Sequence, residues 1–166
     1  MRALGVRFLN RRGGEVRQGG GFLASIETID VSLLDRRMKN IQFSVICDVN
    51  NPLIGRYGAA RIFGPQKGAD RKMVELLERG LERYASVIKK QFGRDISVIP
   101  GSGAAGGLAA GLAVFLDAEI IEGSRFIAKK LGLKKQMRDA DLVITGEGKM
   151  DGQVKFGKAL LPVIEE

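Results

Sequence analysis

Histidine is absent from the 166 residues. That excludes Ser-His and Cys-His nucleophile pairs and every His-ligated metal site. Tryptophan is absent as well, and aromatics reach only 6%. With so few rings and no nucleic-acid motif, a nucleic-acid partner is not expected. Cys47 is the single cysteine, so no internal disulfide can form and a reducing, cytoplasmic setting is expected. No run approaches the ~18 apolar residues of a membrane-spanning helix. Met1-Arg2-Ala3-Leu4-Gly5 carries no long apolar segment of the secretory kind. No membrane partner is expected.

What is present is an apolar fraction of 45%, enough for a sizeable core in one domain, or one domain plus part of another. The net charge is +8, from 27 Lys and Arg against 19 Asp and Glu. The positive charges are dispersed, which suits a solvated basic surface that also draws in small anions.

Glycine is abundant, and it gathers at corners. Pro100-Gly101-Ser102-Gly103-Ala104-Ala105-Gly106-Gly107 lies between the apolar run Ile96–Ile99 and the Ala- and Leu-rich run Leu108–Leu116. That order predicts strand, tight turn, helix start. Glycine permits the φ > 0 corners of such a loop. The N–H groups that open a helix lack intrahelical partners and attract anions. Gly101-x-Gly103-x-x-Gly106 matches the dinucleotide fingerprint letter for letter, with Glu119 and Glu122 near the position of its ribose-binding acid. The Walker pattern fails, because no Lys-Ser or Lys-Thr follows. Anion binding and plain close packing of strand on helix both account for the loop.

The remaining elements follow from periodicity. Ala3–Leu9 predicts a strand, with Glu15-Val16-Arg17 as its returning partner across a turn at Asn10–Gly14. Gly19-Gly20-Gly21 reads as a flexible link. Ile26–Val31 holds a second strand, and Ser32–Arg36 a helical turn. Ile41–Cys47 alternates like a strand. It ends in Asp48-Val49-Asn50-Asn51-Pro52, a carboxylate and two amides suited to a cation or to substrate hydroxyls, and equally to ordinary turn chemistry. Leu53–Ile62 suggests a loop with a short helix. Lys67, between Gly64 and Gly68, could meet a phosphate as a point charge.

Asp70 caps a long helix to about Phe92, with Met73, Leu77, Leu81, Tyr84 and Ile88 inward and Gly93 ending it. Arg71, Lys72, Glu75, Glu78, Arg79, Glu82 and Arg83 read as its solvated face. Asp117–Ile121 suggests a short strand, Ser124 an N-cap, and Leu133–Arg138 a further helical stretch. Asp141–Thr145 reads as a buried parallel strand covered on both faces. It runs into Gly146-Glu147-Gly148-Lys149-Met150-Asp151-Gly152-Gln153, where Glu147 and Asp151 could hold Mg²⁺ through water or supply a base.

Five stretches, in order, resemble the glycerate kinases of the bacterial type that yields 2-phosphoglycerate. They are Ala3–Phe8, Cys47–Leu53, Phe63–Ala69, Pro100–Gly107 and Ala140–Gln153. The resemblance implies ATP-dependent phosphorylation of glycerate with Mg²⁺. It implies an α/β fold in which residues 1–138 form an inserted mixed α/β domain and 139–166 a strand and loop of a flavodoxin-like parallel-sheet domain. Relatives are longer, so an internal fragment is expected, impaired alone, with self-association as a route to completing the outer sheet. Asp48 and Asn51 would hold glycerate hydroxyls, and Asp48, Glu147 and Asp151 a metal. Lys67 would meet a carboxylate or phosphate. Gly101, Ser102, Gly103, Gly106 and Gly107 would face an anion, and Lys149 and Lys158 would neutralise developing charge. Asp48, Lys67, Glu147 and Asp151 form the expected catalytic set. Departures from the family pattern fall at Asn50, Val154, Phe156 and Leu160. The alternative is a non-catalytic anion- or nucleotide-binding module.

Overall fold

A 22-residue helix, Arg71–Phe92, is the scaffold of the chain. It is α2; a shorter helix, α1, covers Ala59–Phe63 just before it. The Asp70 carboxylate accepts the Met73 N–H at 2.8 Å and starts α2. Gly93 closes it in the left-handed region at φ 69°. Both ends lie where capping chemistry puts them. The computed structural model describes residues 1–146.

The buried face of α2 carries Leu81, Tyr84, Ala85, Val87 and Ile88. These meet Val6, Val16, Ile26, Ile29, Leu53, Ala110 and Phe115 in one core. Phe8 stands 6.2 Å from both Tyr84 and Phe115, and Phe92 lies 5.8 Å from Phe115, edge on. Each large apolar side chain buried this way contributes about 1.5–3 kcal/mol. Leu81, Tyr84 and Ile88 are buried as expected, whereas Met73, in the first turn of α2, is 52% exposed. Glu78, expected in solvent, is only 2% exposed.

Two small sheets complete the described fold, and the first packs on α2 through β2. β1 (Arg7–Leu9) pairs antiparallel with β2 (Thr28–Asp30), Phe8 opposite Ile29. The hairpin expected at Glu15–Arg17 reduces to one bridge, Leu9 to Glu15. Asn10 Oδ1 turns the chain by accepting the N–H groups of Arg12 and Gly14. The chain then leaves the sheet for a 3₁₀ segment, Gly20–Ser25, packed on α2. The glycines expected to be a flexible link are contact residues: a Cβ at Gly20 would lie 2.6 Å from Leu77, and one at Gly80 would lie 3.0 Å from Leu23. The start of the expected first strand is instead a 3₁₀ turn, Arg2–Leu4, closed by Gly5.

β3 (Ser44–Cys47) and β4 (Glu119–Glu122) pair in parallel, with Cys47 opposite Glu122. Between them run the glycine turn and α3 (Leu108–Phe115). The run Ile96–Ile99 forms no strand. Asp95 takes the N–H and hydroxyl of Ser97, a local bond that competes with a ladder. α4 (Gly123–Leu131) and α5 (Leu133–Met137) follow. Glu122 rather than Ser124 occupies the N-cap of α4, and the Ser124 hydroxyl donates to Glu122 Oε1 at 3.1 Å. Asp141–Thr145 joins no sheet among the described residues, and Leu142 and Ile144 are 76% and 87% exposed. No described element covers this stretch. The described residues form a mixed α/β fold. No described helix is long and apolar enough to cross a membrane.

Candidate functional site

Parallel pairing brings the ends of β3 and β4 to the same side, with Asp48 following one and Gly123 the other. The carboxyl ends of parallel strands are where open α/β folds take their ligands. The Asp48 carboxylate is seated over the first residue of α4. A Cβ at Gly123 would fall closer than 3.0 Å to Asp48 Oδ1 and 3.2 Å from Ile46 Cγ2. Glycine lets the exposed carboxylate rest there. Cys47, just before it, is buried, and burial followed by the neighbouring Asp48 charge pushes its thiol up. A raised, buried thiol offers little of the thiolate that a nucleophile needs.

The glycine turn docks against the same corner. A Cβ at Gly101 would lie 2.9 Å from Ile120 Cγ2, 3.4 Å from the Val49 carbonyl and 3.7 Å from Cys47 Cβ. Gly103 donates its N–H to the Asn51 carbonyl at 3.0 Å. A Cβ there would strike the Pro52 carbonyl. The Asn51 side chain in turn donates Nδ2 to the Tyr57 carbonyl at 2.8 Å. Asp48, Asn51, Gly101 and Gly103 therefore share one corner, and Gly106 and Gly107 continue the turn into α3 with φ 69° and 96°.

Four backbone donors of that turn have partners inside the protein. The N–H of Ser102 goes to Ile99, that of Gly103 to Asn51, that of Gly106 to Gly103 and that of Gly107 to Ala104. These four donors are used inside the protein. Their glycines serve close packing and left-handed corners. Ser102 is fully buried, and its Oγ has no partner among the described residues.

On the other side of the turn a cavity of about 350 Å³ opens beside Gly107 and Leu108, with Arg2, Arg17, Phe8 and Tyr84 in its wall. Arg2 donates to the Val16 carbonyl, and the Arg17 guanidinium lies 4.8 Å from the Phe22 ring centre. Burial pushes the Tyr84 phenol up, so it stays protonated. Neither arginine stood out in the sequence, where each is one of many scattered cations.

Lys67 ends the 3₁₀ turn Pro65–Lys67 and is exposed. No hydrogen bond or ion pair joins it to Asp48, Asn51 or the glycine turn among the described residues. Its link to the site runs through α1, which packs on both α2 and the Ala104–Gly106 turn. Glu147, Lys149, Asp151 and Lys158 lie outside the described residues. Among the described residues no group of three or more Asp, Glu or Cys could enclose a metal.

Glu78 was missed. Its Oε1 accepts the Gly55 N–H at 2.6 Å and meets Arg61 Nε at 3.4 Å. The signal was spacing: Val74, Glu78, Leu81, Ala85 and Ile88 recur at intervals of four and three, so Glu78 lies on an inward face.

The glycerate kinase family model matches residues 1–166. The chain is 45% identical over 163 residues to glycerate 2-kinase of Escherichia coli K12, covering 98% of this chain and 43% of that protein. It is 44% identical over 161 residues to a glycerate kinase of Halalkalibacterium halodurans, covering 97% and 42%. The crystal structure of a candidate glycerate kinase 2 from Salmonella typhimurium LT2 superposes with a TM-score of 0.81 at 42% identity, over 99% of this chain and 44% of that one. The chain thus spans less than half the length of these relatives. An ordered match along all 166 residues, at this identity and with the same fold, makes the chain a member of the glycerate kinase family.

Proposed function

We propose that this chain contributes the substrate corner of an ATP-dependent glycerate kinase, which transfers a phosphoryl group to the 2-hydroxyl and yields 2-phosphoglycerate. The observation that carries this is the convergence of Asp48, Asn51, Gly101 and Gly103 beyond the carboxyl ends of β3 and β4. Phosphoryl transfer needs positioned charge more than covalent chemistry. An exposed carboxylate and a braced amide loop suit the hydroxyls of a small polyol acid. Arg2 and Arg17, beside the cavity at Gly107, add positive charge for an anion.

Asp48 fits one part of a Mg²⁺ site, since that ion takes one or two carboxylates and fills its shell with water and phosphate. Bound Mg²⁺ would screen phosphate charge. In the same proposal Glu147 and Asp151 complete the acidic set or accept the hydroxyl proton. Lys67, Lys149 and Lys158 meet carboxylate or phosphate charge. Residues 1–138 act as the inserted domain, and Asp141–Thr145 belongs to the sheet of a second one. The exposure of Leu142 and Ile144 supports that division. It also suits pairing with another copy of the chain.

A coupled assay with ATP and glycerate tests the proposal. Weak turnover is expected from the 166 residues alone, and Asp48→Ala in a full-length relative should lower kcat at least about a hundredfold, the scale of losing one positioned charged group. Unchanged kinetics there would remove Asp48 from the site. Calorimetry with ATP, glycerate and 2-phosphoglycerate separates the enzyme from a non-catalytic anion-binding module, for which binding occurs and turnover does not.

A further inference from the structure

Glu78 is the buried acid that the proposed chemistry does not use. It is 2% exposed in the N-terminal half of α2, where an ionised side chain is costly unless bonded. Two bonds hold it. Oε1 accepts the Gly55 N–H at 2.6 Å, and Arg61 Nε approaches the same oxygen at 3.4 Å from a half-exposed position on α1. Oε2 has no partner among the described residues. A carboxylate is the right group for this seat because it only accepts. A glutamine can keep its oxygen on Gly55 and Arg61, but it then buries an NH₂ at the Oε2 position, where no acceptor is described.

The two groups it holds are the two supports of the candidate site. Gly55 lies in the loop that runs from Asn51 to Gly58. Within that loop Asn51 Nδ2 bonds the Tyr57 carbonyl, and the Asn51 carbonyl receives Gly103. Arg61 lies on α1, which packs against the Ala104–Gly106 turn. Gly55 itself takes φ 94°, a conformation that a fixed N–H partner helps to hold. One carboxylate thus ties α2 to both walls of the corner.

We propose that Glu78 is a positioning residue: from the core of α2 it fixes the Asn51–Gly58 loop and α1, and so sets where Asn51 and the glycine turn stand. The functional half of this statement rests on the glycerate reading above; the structural half does not.

The test uses the 166-residue chain with Glu78→Ala, Glu78→Gln, Arg61→Met and a control, Val87→Ala, about 13 Å along the same helix. Hydrogen exchange is followed in residues 50–58 and 101–107, alongside glycerate calorimetry and thermal midpoints. At matched loss of stability, Glu78→Ala should speed exchange in both segments at least about tenfold over Val87→Ala, the mark of local rather than global opening. Glu78→Gln should fall between, and Arg61→Met, which leaves the core filled, should affect mainly 101–107. Glycerate affinity should drop about tenfold in Glu78→Ala and stay near wild type in Val87→Ala. Should Glu78→Ala not fold, Arg61→Met against Val87→Ala decides. Exchange that merely tracks the control overturns the inference. A wild-type chain that binds no glycerate sinks the glycerate reading, while the exchange arm still decides Glu78.

Discussion

Asp48 and Gly123 form a matched pair across the parallel strands: the carboxylate of one occupies the space a side chain on the other would need. The relationship fixes the acid at the opening turn of α4, where the helix dipole favours negative charge. Gly123→Ala should therefore push Asp48 aside while leaving the core intact. Glycerate affinity is expected to fall about tenfold, the equivalent of one lost charge-assisted bond. The thermal midpoint should move far less than for a core truncation. Wild-type affinity in that variant would show that Asp48 does not need its present seat.

Two glycines of the same turn should respond differently. A Cβ at Gly103 meets the Pro52 carbonyl, which is backbone and cannot swing away. Gly103→Ala is expected to cost about 1–3 kcal/mol by overpacking. Gly106 sits at φ 69° with open space around its missing Cβ. Gly106→Ala should cost about 1–2 kcal/mol from the left-handed backbone alone, and Gly106→Asn less, since asparagine tolerates that region. Urea midpoints rank the three. A Gly106→Asn as damaging as Gly103→Ala would contradict this division of labour.

The sequence made α2 legible to the residue, because Asp70 and Gly93 are local signals whose physics does not depend on the rest of the chain. It placed Leu81, Tyr84 and Ile88 inward correctly and missed Met73, which is exposed, and Glu78, which is buried. Charged residues flank the apolar stripe on both sides; the spacing of Glu78 with Leu81, Ala85 and Ile88 allows an inward seat, and the contact at Gly55 fixes it there. The glycine corner was legible as a corner. Its donors were not, since whether an N–H faces a ligand or folds back on Ile99, Asn51 or Ala104 is decided by loop geometry. Ile96–Ile99 and Asp141–Thr145 have strand composition. A strand also needs a partner edge, which composition cannot supply.

Acid should act on the segment after α2. The Asp95 carboxyl is lowered from 3.8 to about 2, first by the hydrogen bond from Lys89 Nζ at 2.7 Å and then by the Ser97 hydroxyl and N–H. A folded-state value below the unfolded one stabilises the protein above that unfolded value. The contribution fades as pH falls from 3.8 towards 2. An NMR titration should place the Asp95 midpoint near 2, and Lys89→Met should move it upward. A midpoint in the ordinary carboxylate range in the wild-type chain would mean that the Lys89 and Ser97 bonds are not formed in solution. Asp35, lowered to about 2 chiefly by the Arg37 side chain, should titrate in the same window.

Lys67 offers a separation of stability from function. It is exposed and has no ion pair among the described residues, so nothing in the described fold depends on its charge. Lys67→Met should leave the unfolding midpoint within about 0.5 kcal/mol of wild type, as for other surface positions. If Lys67 meets the carboxylate or phosphate of a bound ligand, the same change should weaken glycerate or ATP binding about tenfold. It should also flatten the dependence of that binding on salt, because one screened attraction is removed. Equal affinity and equal salt slope in wild type and variant would make Lys67 a solvated loop lysine. Anion recognition would then fall to the cavity walled by Arg2 and Arg17, where Arg17→Met should give the loss instead.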